Sequence, residues 1–304
     1  MSLETTAFVF PGQGSQVVGM GTSLCSTSDE SRELFEFADH TLGFALSKII
    51  RDGPEELLRR TENTQPAILL VSIALYRTLG LQPAAVAGHS LGEYSAVVAS
   101  GALDFADALS LVHKRGCYMQ EAVAEGDGAM IAILGVDEDA IRAAIAEAGG
   151  SVDIANYNAP GNIVIAGERE AVRRTARCAG GKNRELAVSA PFHSRLMQPA
   201  EDRLSADIDA VSITDAAVPI YNNVDAIRVS TAGDIRDGLK RQVTRSVSWT
   251  ATIENMTADG AQTFVEVGPG KVLTGLIRRI ARTANRYNVS DPASIEHARS
   301  AIVS

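Results

Sequence analysis

The chain has 304 residues, 45% of them hydrophobic and 21% charged, a composition that buries a sizeable core and excludes a disordered chain or a fibre. A formal net charge of −9 argues against a broad footprint for nucleic acid or an anionic membrane, because both need clustered positive charge. The length allows one large α/β unit or two packed subdomains.

The start, MSLETTAFVF, lacks a basic stretch followed by a long apolar run, so no cleaved secretory signal is expected. No uninterrupted apolar run approaches the ~20 residues that span a bilayer as a helix. Cys25, Cys117 and Cys178 are widely spaced and form no CxxC pair; they suit a reducing compartment and read as packing residues. The expectation is a cytoplasmic protein, with a monomer as the default.

Residues 6–10 are a short apolar run rich in β-formers, stopped by Pro11, Gly12 and Gly14, and predict a buried strand entering a turn. A helix is expected from about Gln16. Residues 67–78 are helical in pattern, 84–87 form a short strand ending at Gly88, and 91–100 resume helical character. The segment 128–189 has its own rhythm: strand 129–134, helix 138–148, strands 152–155 and 162–166 around an Asn158-Ala-Pro-Gly turn, helix 168–178 and strand 185–189. The order β-α-β-β-α-β is that of a ferredoxin-like unit. It predicts a small subdomain, 127–194, inserted between two parts of a larger one, 1–126 and 195–304. Beyond it, helix 197–208, strand 218–222, helix 235–244, strand 263–267 and helix 272–282 alternate. Such alternation implies a mainly parallel sheet covered on both faces. From Thr283 onward no pattern is clear.

Gly88-His89-Ser90-Leu91-Gly92 fits G-x-S-x-G at a predicted strand-to-helix junction, where a strained turn lifts the serine hydroxyl into a pocket. The bare pattern arises by chance in roughly one sequence in ten of this length, so the strand–turn–helix context carries the assignment. The Leu91 amide and the positive end of the following helix are placed to stabilise an oxyanion. Gln13, in the PGQG loop after the first strand, is the candidate second donor, provided that the two strands are neighbours. Of the five histidines, His89 adjoins the serine and is expected to point away, His40 and His297 lie in polar stretches, and His113 lies within a helix. His193 follows the last strand of the small subdomain at a predicted junction, where a cleft is expected, and is the candidate base. No acidic residue stands out to orient it, which leaves that role to a backbone carbonyl.

The segments FVFPGQGSQVVGMG, TENTQPA, GHSLGEYSA, YMQEAV, GAMIAILG, NYNAPGNIVIAG, APFHS, NNVDA and VEVGPGKVLTGL together resemble malonyl-CoA:acyl carrier protein transacylases along almost the whole chain. The resemblance implies an α/β-hydrolase-like large subdomain with a ferredoxin-like small one. It implies transfer of malonyl from malonyl-CoA to the phosphopantetheine thiol of an acyl carrier protein through a malonyl-serine. No metal or cofactor is implied, the coenzyme A thioester being a substrate. By the same resemblance Ser90 is the nucleophile, His193 the base, Gln13 and the Leu91 amide the oxyanion hole, and Arg115 the malonyl-carboxylate clamp, a task suited to the planar guanidinium fork. Phe192 matches a bulky aromatic that goes with malonyl preference, Gln65, Asn156 and Asn158 match polar residues near the pocket, and Arg184 and Lys182 fall near positions that meet phosphopantetheine or the carrier. Ser248 departs from a glutamine common in the family before the tryptophan; the main-chain carbonyl there is expected to orient the histidine.

Three other readings compete. Gly12, Gly14 and Gly19 after a strand suggest dinucleotide binding, but G-x-G-x-x-G needs a glycine where Val17 stands, so an oxidoreductase is disfavoured. A non-catalytic carrier-binding module does not account for Ser90, His193 and Arg115 together. A thioester hydrolase would share the acyl-enzyme, and Arg115 separates the two, because a plain fatty acyl chain carries no carboxylate to clamp. The sequence leaves open service in fatty acid synthesis or in trans for a polyketide assembly line.

Overall fold

The computed structural model describes residues 2–124, 126–188 and 190–303. Strand β1 (Thr6–Phe10) is buried at all five positions, as a strand covered on both faces must be. The expected helix at Gln16 is absent. The chain instead passes through left-handed Gly19 (φ 88°) and Gly21 (φ 74°) before α1 (Thr22–Thr27), and left-handed residues at these two positions interrupt a right-handed helix. Helices α2 (Asp29–Leu42), α3 (Leu46–Asp52) and α4 (Glu55–Arg59) lead into α5 (Thr61–Leu79). Every α5 residue from Asn63 to Leu75 is buried; a helix this apolar around its circumference belongs inside the core. It starts six residues earlier than the apolar pattern predicts because its first turn carries buried polar residues, Asn63, Thr64 and Gln65.

Strand β2 (Ala85–Gly88), α6 (Gly92–Ala99) and α7 (Phe105–Glu121) complete the first part. The next six elements are β3 (Gly128–Leu134), α8 (Glu138–Ala148), β4 (Val152–Ala159), β5 (Asn162–Glu168), α9 (Arg169–Ala179) and β6 (Lys182–Glu185). They form an antiparallel sheet in the order β4-β5-β3-β6, the ferredoxin-like arrangement expected from the sequence. Strand β4 runs on to Ala159, so the turn shrinks to Pro160 and Gly161. The last strand lies earlier than predicted: Lys182–Glu185, all exposed, pair with Leu134 to Ile131. Charged residues suit an open edge, which is why the apolar signal pointed past them; of the expected strand end, Ser189 lies outside the described residues.

Helix α10 (Gln198–Ala210), strands β7 (Ile220–Tyr221) and β8 (Arg228–Val229), helices α11 (Ala232–Arg241) and α12 (Trp249–Ala258), strand β9 (Thr263–Val267) and helix α13 (Val272–Ile280) follow. The patternless tail is structured: β10 (Asn285–Val289) and α14 (Pro292–Val303). The polar sequence Asn285-Arg-Tyr-Asn concealed a strand held by parallel pairing along the whole of β9. The large sheet runs β10-β9-β1-β2-β7-β8, parallel except for β8. One apolar core packs α5, α6, α7 and α10 against one face, and a second, around Trp249, Phe264 and Leu273, covers the other.

Candidate active site

The central strands β1 and β2 pair in parallel, Phe10 opposite Gly88, and the His89 amide donates to the Phe10 carbonyl at 3.0 Å. Ser90 sits between β2 and α6 with φ 53°, a left-handed conformation that a serine adopts only when its surroundings impose it. The turn closes backbone on backbone. A Cβ on Gly88 would lie 1.9 Å from the Gly92 carbonyl group, one on Gly92 would lie 2.0 Å from the Phe10 oxygen, and one on Gly12 would lie 2.4 Å from the His89 oxygen. The PGQG loop therefore rests directly on the elbow, which meets the condition set for Gln13. Gly88→Ala has only backbone to push against, and should lower stability by about 3 kcal/mol, measured as a shift in the denaturant midpoint.

The elbow aims Ser90 at His193. Its Oγ lies 2.7 Å from His193 Nε2, and His193 Nδ1 lies 2.8 Å from the Gln242 main-chain oxygen. A carbonyl accepts only, so Nδ1 carries the proton and Nε2 offers its lone pair to the hydroxyl. His193 is 3% exposed and itself left-handed, φ 59°. Burial, and then the neighbouring Arg115 charge, push its pKa down to about 3, which keeps the imidazole in its neutral, proton-accepting form. The orienting carbonyl is that of Gln242, not of Ser248. Ser248 receives no histidine: its amide donates to the Asn223 oxygen and its carbonyl accepts from Thr252, which spends it on the first turn of α12.

The other histidines are engaged elsewhere. His89 turns its Nε2 to Asn158 Oδ1 at 2.8 Å and its ring to Trp249, away from Ser90, so Asn158 supports the elbow from behind. His113 Nδ1 faces the Glu62 carbonyl, and His40 and His297 are exposed.

Arg115, from α7, is 1% exposed. Its Nη2 reaches Ser90 Oγ at 3.2 Å and Gln242 Oε1 at 2.9 Å, its Nη1 reaches Gln65 Oε1 at 2.8 Å, and its guanidinium lies 5.6 Å from the centre of the Tyr94 ring. Burial lowers its pKa from the usual arginine value. No carboxylate among the described residues forms an ion pair with it, so amide oxygens orient the cation without neutralising it. A buried cation of this kind gains most from an incoming anion.

Ser90, His193, Arg115 and Gln65 thus come together. Leu91 is buried beside them, and its amide finds no acceptor among the described residues. Gln13 is half-buried and its side chain reaches Thr61 Oγ1. Phe192 is buried immediately before His193, and Asn156 is buried in β4, bridged to Val247. Arg184 and Lys182 stand on the exposed edge strand β6 and are hydrogen-bonded to none of the Ser90 group.

Three further residues complete the framework. Asn223 accepts from the Ser90 amide at 2.7 Å and donates to the Gly88 carbonyl at 2.6 Å. The Gln242 side chain donates to the Ser90 carbonyl and to Glu93. Glu93 is buried, which raises its pKa to about 7. Glu93 and Asn223 lie inside the segments GHSLGEYSA and NNVDA, and an acid one residue into an apolar helix is itself a signal; Gln242 carries none in the sequence.

Among the described residues no His, Cys, Asp or Glu cluster could hold a metal ion, and no helix is long and apolar enough to cross a membrane. Fold and site define a class: an α/β protein with a serine–histidine pair on a nucleophile elbow and a buried cation beside it. The family model of the acyl transferase domain matches residues 7–296, and the chain belongs to that family. It is 47% identical to a malonyl CoA-acyl carrier protein transacylase of Escherichia coli (strain K12), over 95% of this chain and 97% of that one. The solved malonyl CoA-acyl carrier protein transacylase of Coxiella burnetii superposes with a TM-score of 0.96 at 42% identity, covering 99% and 98% of the two chains. A malonyl-transacylase solved in complex with a type II polyketide synthase acyl carrier protein superposes with a TM-score of 0.94 at 43% identity, covering 97% and 99%.

Proposed function

We propose that the chain transfers malonyl from malonyl-CoA to the phosphopantetheine thiol of an acyl carrier protein through a malonyl ester on Ser90. The observation that carries the reading is Arg115, a buried, un-neutralised cation 3.2 Å from the Ser90 hydroxyl. Ser90 Oγ attacks the thioester carbonyl while His193 Nε2 takes its proton. The C–S bond then breaks, and coenzyme A leaves as the thiol with the proton from His193. In the second half the carrier thiol gives its proton to His193 and attacks the ester, and Ser90 recovers its hydrogen. The Leu91 and Gln13 amides hold the oxyanion in both halves. A malonyl carboxylate seated on Arg115 cancels the charge that helps depress His193, so substrate binding strengthens the base. The chemistry balances without metal or redox cofactor.

Gln65 steadies the clamp, and Phe192 limits the substituent on the malonyl carbon. Asn156 borders the pocket, Asn158 holds His89 behind the elbow rather than facing the substrate, and Arg184, with Lys182, meets phosphopantetheine or the carrier. Boundaries at 127 and 195 are supported by the sheets, since the four antiparallel strands all fall between Gly128 and Glu185 and the other strands all fall outside. Three free cysteines support a reducing compartment such as the cytoplasm. A relative solved with a type II polyketide synthase acyl carrier protein supports service with such a carrier, and relatives named malonyl CoA-acyl carrier protein transacylase are equally consistent with service in fatty acid synthesis.

Transfer kinetics with malonyl-CoA and acetyl-CoA, with and without carrier protein, test the reading. Wild type should favour malonyl, and form malonyl-carrier rather than free malonate. Removing one member of a buried charge pair costs about 2 to 5 kcal/mol, so Arg115→Ala should weaken malonyl transfer by roughly 30-fold or more. Acetyl transfer should fall little or rise. Equal loss of both substrates would show general damage and remove the clamp, and release of malonate to water would favour a hydrolase.

A further inference from the structure

Glu93 lies on the first turn of α6 and is 2% exposed. Burying a carboxylate is costly unless it is fully engaged, and this one has no cation in ion-pair contact among the described residues. Its Oε2 accepts from the Gln242 side-chain amide at 2.6 Å and from the Asn223 backbone at 3.2 Å. The two ends of the Gln242 amide face opposite demands. Nε2 also donates to the Ser90 carbonyl at 2.9 Å, whereas Oε1 accepts from Arg115 Nη2 at 2.9 Å. An amide has donors at one end only. Turned over, it would set its oxygen against the Glu93 carboxylate and the Ser90 carbonyl, and its NH2 against the guanidinium.

We infer that Glu93 is a positioning residue for malonyl selectivity: by holding the NH2 of Gln242, it keeps the amide oxygen on Arg115 and the guanidinium fork beside Ser90. The inference rests on the malonyl reading of the site. Glu93 touches neither substrate nor the reacting atoms. Its charge sits behind an amide from Arg115, so it orders the clamp without neutralising it. A carboxylate placed directly on Arg115 would compete with the substrate for the same fork.

The test is steady-state transfer of malonyl-CoA and acetyl-CoA to carrier protein, with thermal unfolding in parallel. Glu93→Met keeps a side chain of similar length but removes the oxygen that accepts from the Gln242 NH2, so the amide loses the partner that fixes its direction. Gln242→Met removes the amide and leaves the main-chain carbonyl on His193. Each should raise KM for malonyl-CoA and lower the malonyl-to-acetyl ratio of kcat/KM about tenfold. The double variant should fall no further than the larger single, because both act through one contact. An unchanged ratio in the variants, or additive losses in the double, overturns the inference while a malonyl-selective wild type leaves the function standing. A wild type indifferent to the carboxylate overturns both. Should Glu93→Met fail to fold, an unchanged ratio in Gln242→Met still overturns the inference, because Glu93 acts only through that amide.

Discussion

Incubated with malonyl-CoA in the absence of carrier protein, the wild-type chain should gain the mass of one malonyl group, and Ser90→Ala should gain none. Ser90 has the left-handed backbone of an elbow, a helix starting two residues later, and an imidazole 2.7 Å from its oxygen. Its amide, its carbonyl and the Gly88 carbonyl before it are each tied, to Asn223 or to Gln242, so alanine at position 90 removes the hydroxyl and leaves the turn supported. Loss of adduct then reports chemistry and not collapse. An adduct undiminished in Ser90→Ala, seen by intact-mass spectrometry, would place the acyl group on another side chain and end the proposal of a malonyl-serine.

Replacing His193 should slow acylation by roughly 10² to 10⁴-fold, the usual cost of losing a general base. The substitution tests one proton transfer, because the imidazole is held neutral by burial and by Arg115 and has a single carbonyl partner on Nδ1. Rapid-quench measurement of the first half-reaction separates this step from carrier-dependent turnover. A two- or threefold loss in His193→Ala, in protein that unfolds as wild type does, would remove His193 from the mechanism. His89→Ala provides the contrast. It should impair activity less, through elbow geometry, since His89 faces Asn158 and Trp249.

Much of this site was legible before any fold was known, for local reasons. G-x-S-x-G at a strand–helix junction dictates its own backbone: Gly88 and Gly92 stand where any Cβ would strike main chain, so residue type and conformation imply each other. The β-α-β-β-α-β order of the small sheet follows from alternating apolar periods, and its core residues Ile131, Ile133, Ile154 and Ile165 are those that the period places inward. By contrast, β6 was placed a few residues too late and β10 was not read at all, because edge strands are held by pairing with β3 and β9 and need no apolar pattern of their own.

By itself the sequence singled out Ser90 as the proposed nucleophile, the elbow that presents it, His193 among five histidines as the proposed base and, through resemblance alone, Arg115 as the proposed clamp. Tertiary structure decided what surrounds them. Gln242 stands 152 residues from Ser90 and 127 from Arg115 along the chain, yet its carbonyl orients the base and its amide links the elbow to the cation. The orienting carbonyl falls at Gln242 and not at Ser248 because Ser248 begins α12 and its carbonyl goes to Thr252. The reason is general: a motif records contacts between residues a few positions apart, whereas a main-chain carbonyl has the same chemistry at every position, and only the packing of β1, β2 and β7 with α7 and α11 selects the one that meets the histidine.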